Sequence, residues 1–236
     1  MVEVIPQQAE PAPLAAVGNV RMELEYGETA LGIASAAVTA SGQPVKVETA
    51  ILRGDPATAL IAESRDAEMV CVGSTGIGRF ARALLGSTVA ELAEAASCPL
   101  AIIRTQDSRP KPGSSLIVVA VSDSPGNDDV VEQAIREAQL RHAPVLALGV
   151  WRQDLGDMPY DEVDRRVRFW ERRYPTVQFH AGATRTGIAD FLDVSDSRIH
   201  LAVIGSADID QVASLIGPHR HPMLGHAECS VLIVRS

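Results

Sequence analysis

Met69-Val70-Cys71-Val72-Gly73-Ser74-Thr75-Gly76-Ile77-Gly78-Arg79-Phe80-Ala81-Arg82-Ala83-Leu84-Leu85-Gly86-Ser87-Thr88-Val89-Ala90-Glu91-Leu92 is the stretch on which the fold is decided. Its apolar opening, Met69 to Val72, has the length and composition of a strand buried in a parallel sheet. Gly86-Ser87-Thr88, ahead of a segment rich in Ala, Leu and Glu, is a helix start. Between them runs a glycine-rich loop. A strand, a glycine loop and a helix in that order aim backbone N–H groups and the positive helix end at one spot, which suits an anion and above all a phosphate.

The glycine spacing narrows the choice of ligand. Two residues separate Gly73 from Gly76, nine more lead to Gly86, and Ser87 follows at once, giving G-x2-G-x9-G-S. This is neither Gly-x4-Gly-Lys-Ser/Thr nor a complete Gly-x-Gly-x2-Gly after Gly73, so the P-loop and dinucleotide readings lose ground. A lone glycine loop would signify only a tight turn. The full spacing, with its strand and helix, resembles the nucleotide loop of the universal stress protein family.

Upstream, Met1 to Ile5 reads as the end of a strand, and Pro6, Pro11 and Pro13 keep the following chain extended or looping. A helix is expected from about Arg21 to Ala40, weakened by Gly27 and Gly32. Val45 to Ile51 alternates as a strand, and Asp55-Pro56 opens a helix to about Arg65 with Asp55 as its cap. Downstream, Pro99 to Arg104 is a short strand, and the proline-bearing residues 107–114 form a linker. Then the pattern restarts. Strands are expected at Leu116 to Val121, Val145 to Val150, Thr176 to His180, Leu201 to Ser206 and Ser230 to Arg235. Helices are expected from Asn127 to about Leu140, Pro159 to Arg172 and Gly187 to Val194.

Two matches tie the halves together. Leu201 to Ser206 ends in Gly-Ser as Val70 to Ser74 does, and Ser97-Cys98-Pro99-Leu100-Ala101-Ile102-Ile103-Arg104 parallels Glu228-Cys229-Ser230-Val231-Leu232-Ile233-Val234-Arg235 at nearly the same offset. An internal duplication explains both. Alternating strands and helices give a doubly wound parallel sheet, whose ligands bind beyond the carboxyl ends of the strands, where Gly73 lies.

Composition bounds the function classes. The 236 residues suffice for two domains, and 46% hydrophobic residues with only 4% aromatic leave Ala, Val, Leu and Ile to fill the interior. A formal charge of −9 opposes a nucleic-acid partner, while a single phosphate site needs only local donors. No apolar run approaches a membrane span, and no basic residue precedes Arg21 to make a secretory leader, so the expected location is the cytoplasm. Cys71, Cys98 and Cys229 lack paired spacing and read as small buried residues. His219, His221 and His226 lack the i, i+4 spacing of a helical zinc pair and read as surface or cap histidines, so no metal is expected. Trp151, Phe169 and Trp170 read as packing between strand and helix. No Gly-x-Ser-x-Gly elbow follows a strand.

Over nearly the whole chain the sequence resembles a tandem universal stress protein of two Rossmann-like α/β domains. These would be residues 1–106, lacking the first strand and helix, and the complete residues 115–236. In that family each domain opens on a central strand ending near an Asp. Leu116 to Val121 supplies it in the second repeat and nothing before Met1 does so in the first, which implies a misassigned start or a truncated form. The resemblance implies ATP or a related adenine nucleotide (ADP, AMP), with Gly73, Thr75, Gly76, Gly86, Ser87 and Thr88 at the phosphate-loop positions and Arg79 and Arg82 nearby. In the second repeat Gly205 matches Gly73, but Asp208 replaces the second glycine, Pro218 replaces the serine, and Ser122 falls where the Asp is expected, with Asp123 one place later. ATP is not expected there.

With no general base or magnesium carboxylate at the loop, the implied role is a regulatory binding module in a stress response rather than an enzyme. The alternative is a nucleotide-free scaffold. The resemblance also implies that the last strands, Pro99 to Arg104 and Ser230 to Arg235, pair domains or subunits through their edges into a homo-oligomer.

Overall fold

The computed structural model describes residues 1–5, 14–73, 86–104, 116–150, 160–194, 199–216 and 229–235. It divides into two compact units, Met1–Glu63 and Ser64–Ser236. The expected linker, 107–114, lies outside the described residues.

In the first unit, strands β1 (Val2–Ile5) and β2 (Ala50–Arg53) pair in parallel, Val2 opposite Ala50 through Ile5 opposite Arg53. Helix α1 (Leu14–Ala40) lies on them. Gly27 makes that approach possible, since a Cβ there would come within 3.2 Å of Glu3 Cγ and 3.6 Å of Ile51 Cδ1. The strand expected over Val45 to Ile51 is instead confined to Ala50–Arg53. Its alternation is real, but β1 offers ladder partners only from Ala50 onward. Helix α2 (Pro56–Glu63) starts as expected: Asp55 Oδ2 accepts the Thr58 N–H at 2.8 Å, and Pro56 takes the first helical position.

The second unit is a seven-stranded sheet in the order β3-β4-β9-β8-β5-β6-β7. Its strands are β3 (Val70–Gly73), β4 (Leu100–Ile103), β5 (Leu116–Val121), β6 (Val145–Val150), β7 (Phe179–Thr184), β8 (Ile199–Gly205) and β9 (Ser230–Val234). All neighbours are parallel except β4 and β9. Helices α3 (Ser87–Ala95), α4 (Asn127–Arg141), α5 (Tyr160–Arg173), α6 (Ile188–Val194) and α7 (Val212–Ile216) connect them, with a 3-10 turn at Ser206–Gln211. The alternation read from the sequence is thus the α/β architecture observed. Strand β7 begins three residues later than expected, because β6 fixes its register, pairing Val145 with Phe179 and Val150 with Thr184.

The duplication holds residue for residue in the ladders. Val70 opposite Leu100 through Gly73 opposite Ile103 repeats as Ala202 opposite Val231 through Gly205 opposite Val234. Strands β4 and β9 are counterparts, and they pair antiparallel with Ala101 facing its own counterpart Leu232, so a local two-fold axis passes between them. In the second repeat β5 lies between β8 and β6. Their counterparts in the first repeat, β3 and β1, each have a single strand neighbour among the described residues, β4 and β2 respectively.

The core is aliphatic, as the composition requires. Leu100, Ile102, Ile117, Val118, Leu148, Ile204, Leu215 and Ile233 have 1% exposure or less. On α5, Val163, Val167 and Trp170 form an i, i+4, i+7 stripe against the sheet while the other face is charged. Trp170 packs on Phe179 with ring centroids 6.2 Å apart, the strand-to-helix packing expected of it. Phe169 departs from that expectation: one position round the helix from Trp170, it points outward and is 58% exposed. Cys98 and Cys229 are buried, but Cys71 is exposed on β3, the outermost strand of its sheet. Among the described residues, no helix is long and apolar enough to cross a membrane, and no group of His, Cys, Asp and Glu could hold a metal ion.

Candidate functional site

Gly73 ends β3, paired with Ile103 of β4, at the carboxyl edge of the sheet. Gly86, Ser87 and Thr88 come together at the start of α3, whose buried positions Val89, Leu92 and Ala93 seat the helix by an i, i+3, i+4 pattern. Thr75, Gly76, Arg79 and Arg82 lie outside the described residues. Gly86 is the N-cap in extended conformation (φ −62°, ψ 147°) and supplies no side-chain cap, so the first-turn N–H groups are not satisfied by one. Ser87 is exposed and Thr88 half-buried. Among the described residues, a Cβ on Gly86 would meet nothing within 4 Å. An extended glycine cap with no described residue packed on it, before a helix start without a side-chain cap, is a surface on which a phosphate can sit against backbone. The residues described at this site fit the group the resemblance implies.

The far end of α3 is held by a residue that sequence reasoning missed. The Arg235 guanidinium donates from the end of β9 to the carbonyls of Leu92, at 3.1 Å, and Ala93. A cation there satisfies helix-end carbonyls and complements the dipole, leaving the N-terminal end of α3 as its positive face. The helix also packs against β4 and the 3-10 turn of the second repeat.

The corresponding place in the second repeat is built differently. After β5, Arg166 Nη1 donates to the Ser122 carbonyl at 3.0 Å and Nη2 to Asp123 Oδ1 at 2.7 Å. The same arginine bonds Glu162 on its own helix, whose carboxyl is held below the usual range by Arg165 first and then Arg166. Buried Asn127 accepts the Ser122 N–H (3.1 Å) and donates to the Ala120 carbonyl (2.9 Å). After β8, Gln211 Oε1 accepts the Ile188 N–H at the start of α6 (3.0 Å), and its Nε2 donates to Asp208 (3.1 Å). Gly205 is wedged in place, since a Cβ on it would lie 3.2 Å from Val130 Cγ2. Pro218 and His219, His221 and His226 are outside the described residues.

Residues 2–104 match the universal stress protein family. A universal stress protein of Mycobacterium tuberculosis is 49% identical over 213 residues, 90% of this chain and 78% of that protein. The chain belongs to the universal stress protein family. A second family member from the same organism is 33% identical over 223 residues, covering 93% and 80% of the two chains. Among solved structures, a universal stress protein from Archaeoglobus fulgidus matches the fold with a TM-score of 0.69 at 18% identity, over 98% of this chain and 83% of that one. These relatives support the fold and the family, while the glycine loop and the two unlike crevices are features of this chain's own residues.

The family resemblance offered the last strands as pairing edges, and they do pair, with each other. Strand β4 lies between β3 and β9, and β9 between β4 and β8, so both edges of each are taken within one chain. Subunit pairing through those edges is therefore corrected: no edge of β4 or β9 is left for a second copy.

Proposed function

We propose that this chain is an adenine-nucleotide-binding regulatory module that takes ATP at the first glycine loop and acts by occupancy rather than turnover. The observation that carries this reading is the start of α3, where among the described residues nothing packs against Gly86 and no side chain caps the helix. Gly73, Thr75, Gly76, Gly86, Ser87 and Thr88 would hold the phosphates by backbone N–H and hydroxyl donors. Membership of the family supports a role in a stress response in the cytoplasm. Self-association, if part of that role, uses surfaces other than β4 and β9.

The reading is tested by thermal shift and calorimetry of the full chain with ATP, ADP and AMP, with Gly86→Asp as control. At 100 times its dissociation constant a bound nucleotide stabilises the fold by about 2.7 kcal/mol. Asp at position 86 puts a carboxylate at the phosphate seat, so the expected result is a shift in the wild type and none in the variant. No shift in the wild type would favour the scaffold reading, to which the internal pairing of β4 with β9 lends support.

A further inference from the structure

We infer that the crevice of the second repeat is a closed structural lock, in which Gln211 and Arg166 occupy by side chain the polar groups that a nucleotide would otherwise use. This rests on the nucleotide reading of the first loop only for the comparison of the two crevices. The place is right for a ligand: it lies at the carboxyl ends of β5 and β8, neighbouring parallel strands whose helical connections run to opposite sides of the order. Yet, among the described residues, four polar groups there already have internal partners. Ser122 N–H meets Asn127, Ser122 C=O and Asp123 meet Arg166, and the Ile188 N–H at the head of α6 meets Gln211. A ligand would have to break these bonds and leave its own phosphates beside Asp123, Asp208 and Asp210.

The fit of Gln211 is specific. Gly187 has φ +101°, and a Cβ built on it would stand 2.6 Å from Gln211 Oε1, so the glycine both makes the turn into α6 and vacates the space that Gln211 fills. Among the described residues nothing comes within 4 Å of a Cβ built on Gly86, whereas one on Gly205 would meet Val130 and one on Gly187 would meet Gln211. Among the described residues, Gln211 and Arg166 thus occupy the second crevice, and none crowds Gly86 in the first.

The test uses the full chain, with ATP as the probe, counting bound nucleotide by equilibrium dialysis and following melting of wild type, Gly86→Asp, Gln211→Ala, Arg166→Ala, Gly187→Ala and the double variant Gly187→Ala/Gln211→Ala. The expected result is at most one ATP per chain and none in Gly86→Asp. Gln211→Ala and Arg166→Ala keep wild-type ATP affinity within about twofold while each lowers the melting midpoint by about 2–4 °C. In the cycle, Gly187→Ala lowers the midpoint less when Gln211 is already Ala, because the clash is gone. Two ATP per chain, ATP retained by Gly86→Asp, or additive Gly187 and Gln211 effects would overturn the lock. If the wild type binds no ATP at all, the proposed function fails, and the lock is still decided by the melting cycle.

Discussion

Truncating Ile102 to Ala is a sharp test of how β4 is packed into the core. Ile102 sits in β4 between Val72 of β3 and Val231 of β9 and has 0% exposure. The substitution removes three side-chain carbons, worth about 0.8 kcal/mol each in transfer from water, or roughly 2.4 kcal/mol. The cavity left in a rigid sheet raises the expected loss to about 3–4 kcal/mol, within the range for buried Ile to Ala. The adjacent Ile103 is 45% exposed, so Ile103→Ala should cost about 1 kcal/mol by the same arithmetic. In a chain of this size each kcal/mol moves the midpoint by about 2–4 °C, so calorimetry should find Ile102→Ala lower by roughly 6–16 °C and Ile103→Ala by a quarter to a third of that. Because the chain has two compact units, the loss belongs to the transition of Ser64–Ser236. Equal losses for the two variants, or a loss below about 1 kcal/mol for Ile102→Ala, would mean that Ile102 does not lie on a covered face of β4.

Two further outcomes follow from the side chains. Cys71 is exposed, while Cys229 is 2% exposed and burial pushes its thiol up to about 12, so titration with an aromatic disulfide near pH 8 should give one fast thiol, lost in Cys71→Ser, and three after unfolding. Burial and the neighbouring Cys98 raise the Cys71 thiol too, so it should react more slowly than a free cysteine. Fast labelling of Cys229 would contradict the burial of β9. Asp55 is held below its usual 3.8 by the Thr58 N–H. Its folded value lies under its unfolded one, so its cap is in force above the unfolded value and is lost as pH falls through the folded value. NMR of the Thr58 amide should therefore show α2 loosening below about pH 4 in the wild type and not in Asp55→Asn, which keeps a neutral cap. An amide signal that stays constant across that range would remove Asp55 from the cap.

Much of the fold was legible because it is local. Leu116 to Val121 and Val145 to Val150 are apolar runs that became β5 and β6 with the same bounds, and Asp55-Pro56 announced its own helix. The ladder equivalence of the two repeats followed from Cys98 matching Cys229. What escaped the sequence was decided at a distance. Residues 45–49 alternate like a strand but lack a ladder partner, and β7, with Ala181, Gly182 and Ala183 at its middle, takes its place from β6 rather than from its own weak pattern. The helix start at Gly86-Ser87 was readable from the glycine spacing and the residues after it. The groups that distinguish the two crevices were not: Arg166 reaches Asp123 across 43 residues, Gln211 reaches Ile188 across 23, and Arg235 reaches Leu92 across 143. The advance signals were negative: Ser122, Asp208 and Pro218 stand where other residues are expected.

The antiparallel contact of β4 with β9 also has a kinetic meaning. An isologous contact between two separate chains forms only as fast and as fully as their concentration allows, whereas two partners on one polypeptide meet at an effective concentration in the millimolar range. Dilution therefore cannot dissociate this pair, and its two halves no longer have to remain identical to recognise each other. Once the contact is covalently guaranteed, the two halves can diverge, one carrying the Gln211 and Arg166 bonds at its crevice and the other a glycine cap at Gly86, an asymmetry closed to an assembly of identical subunits.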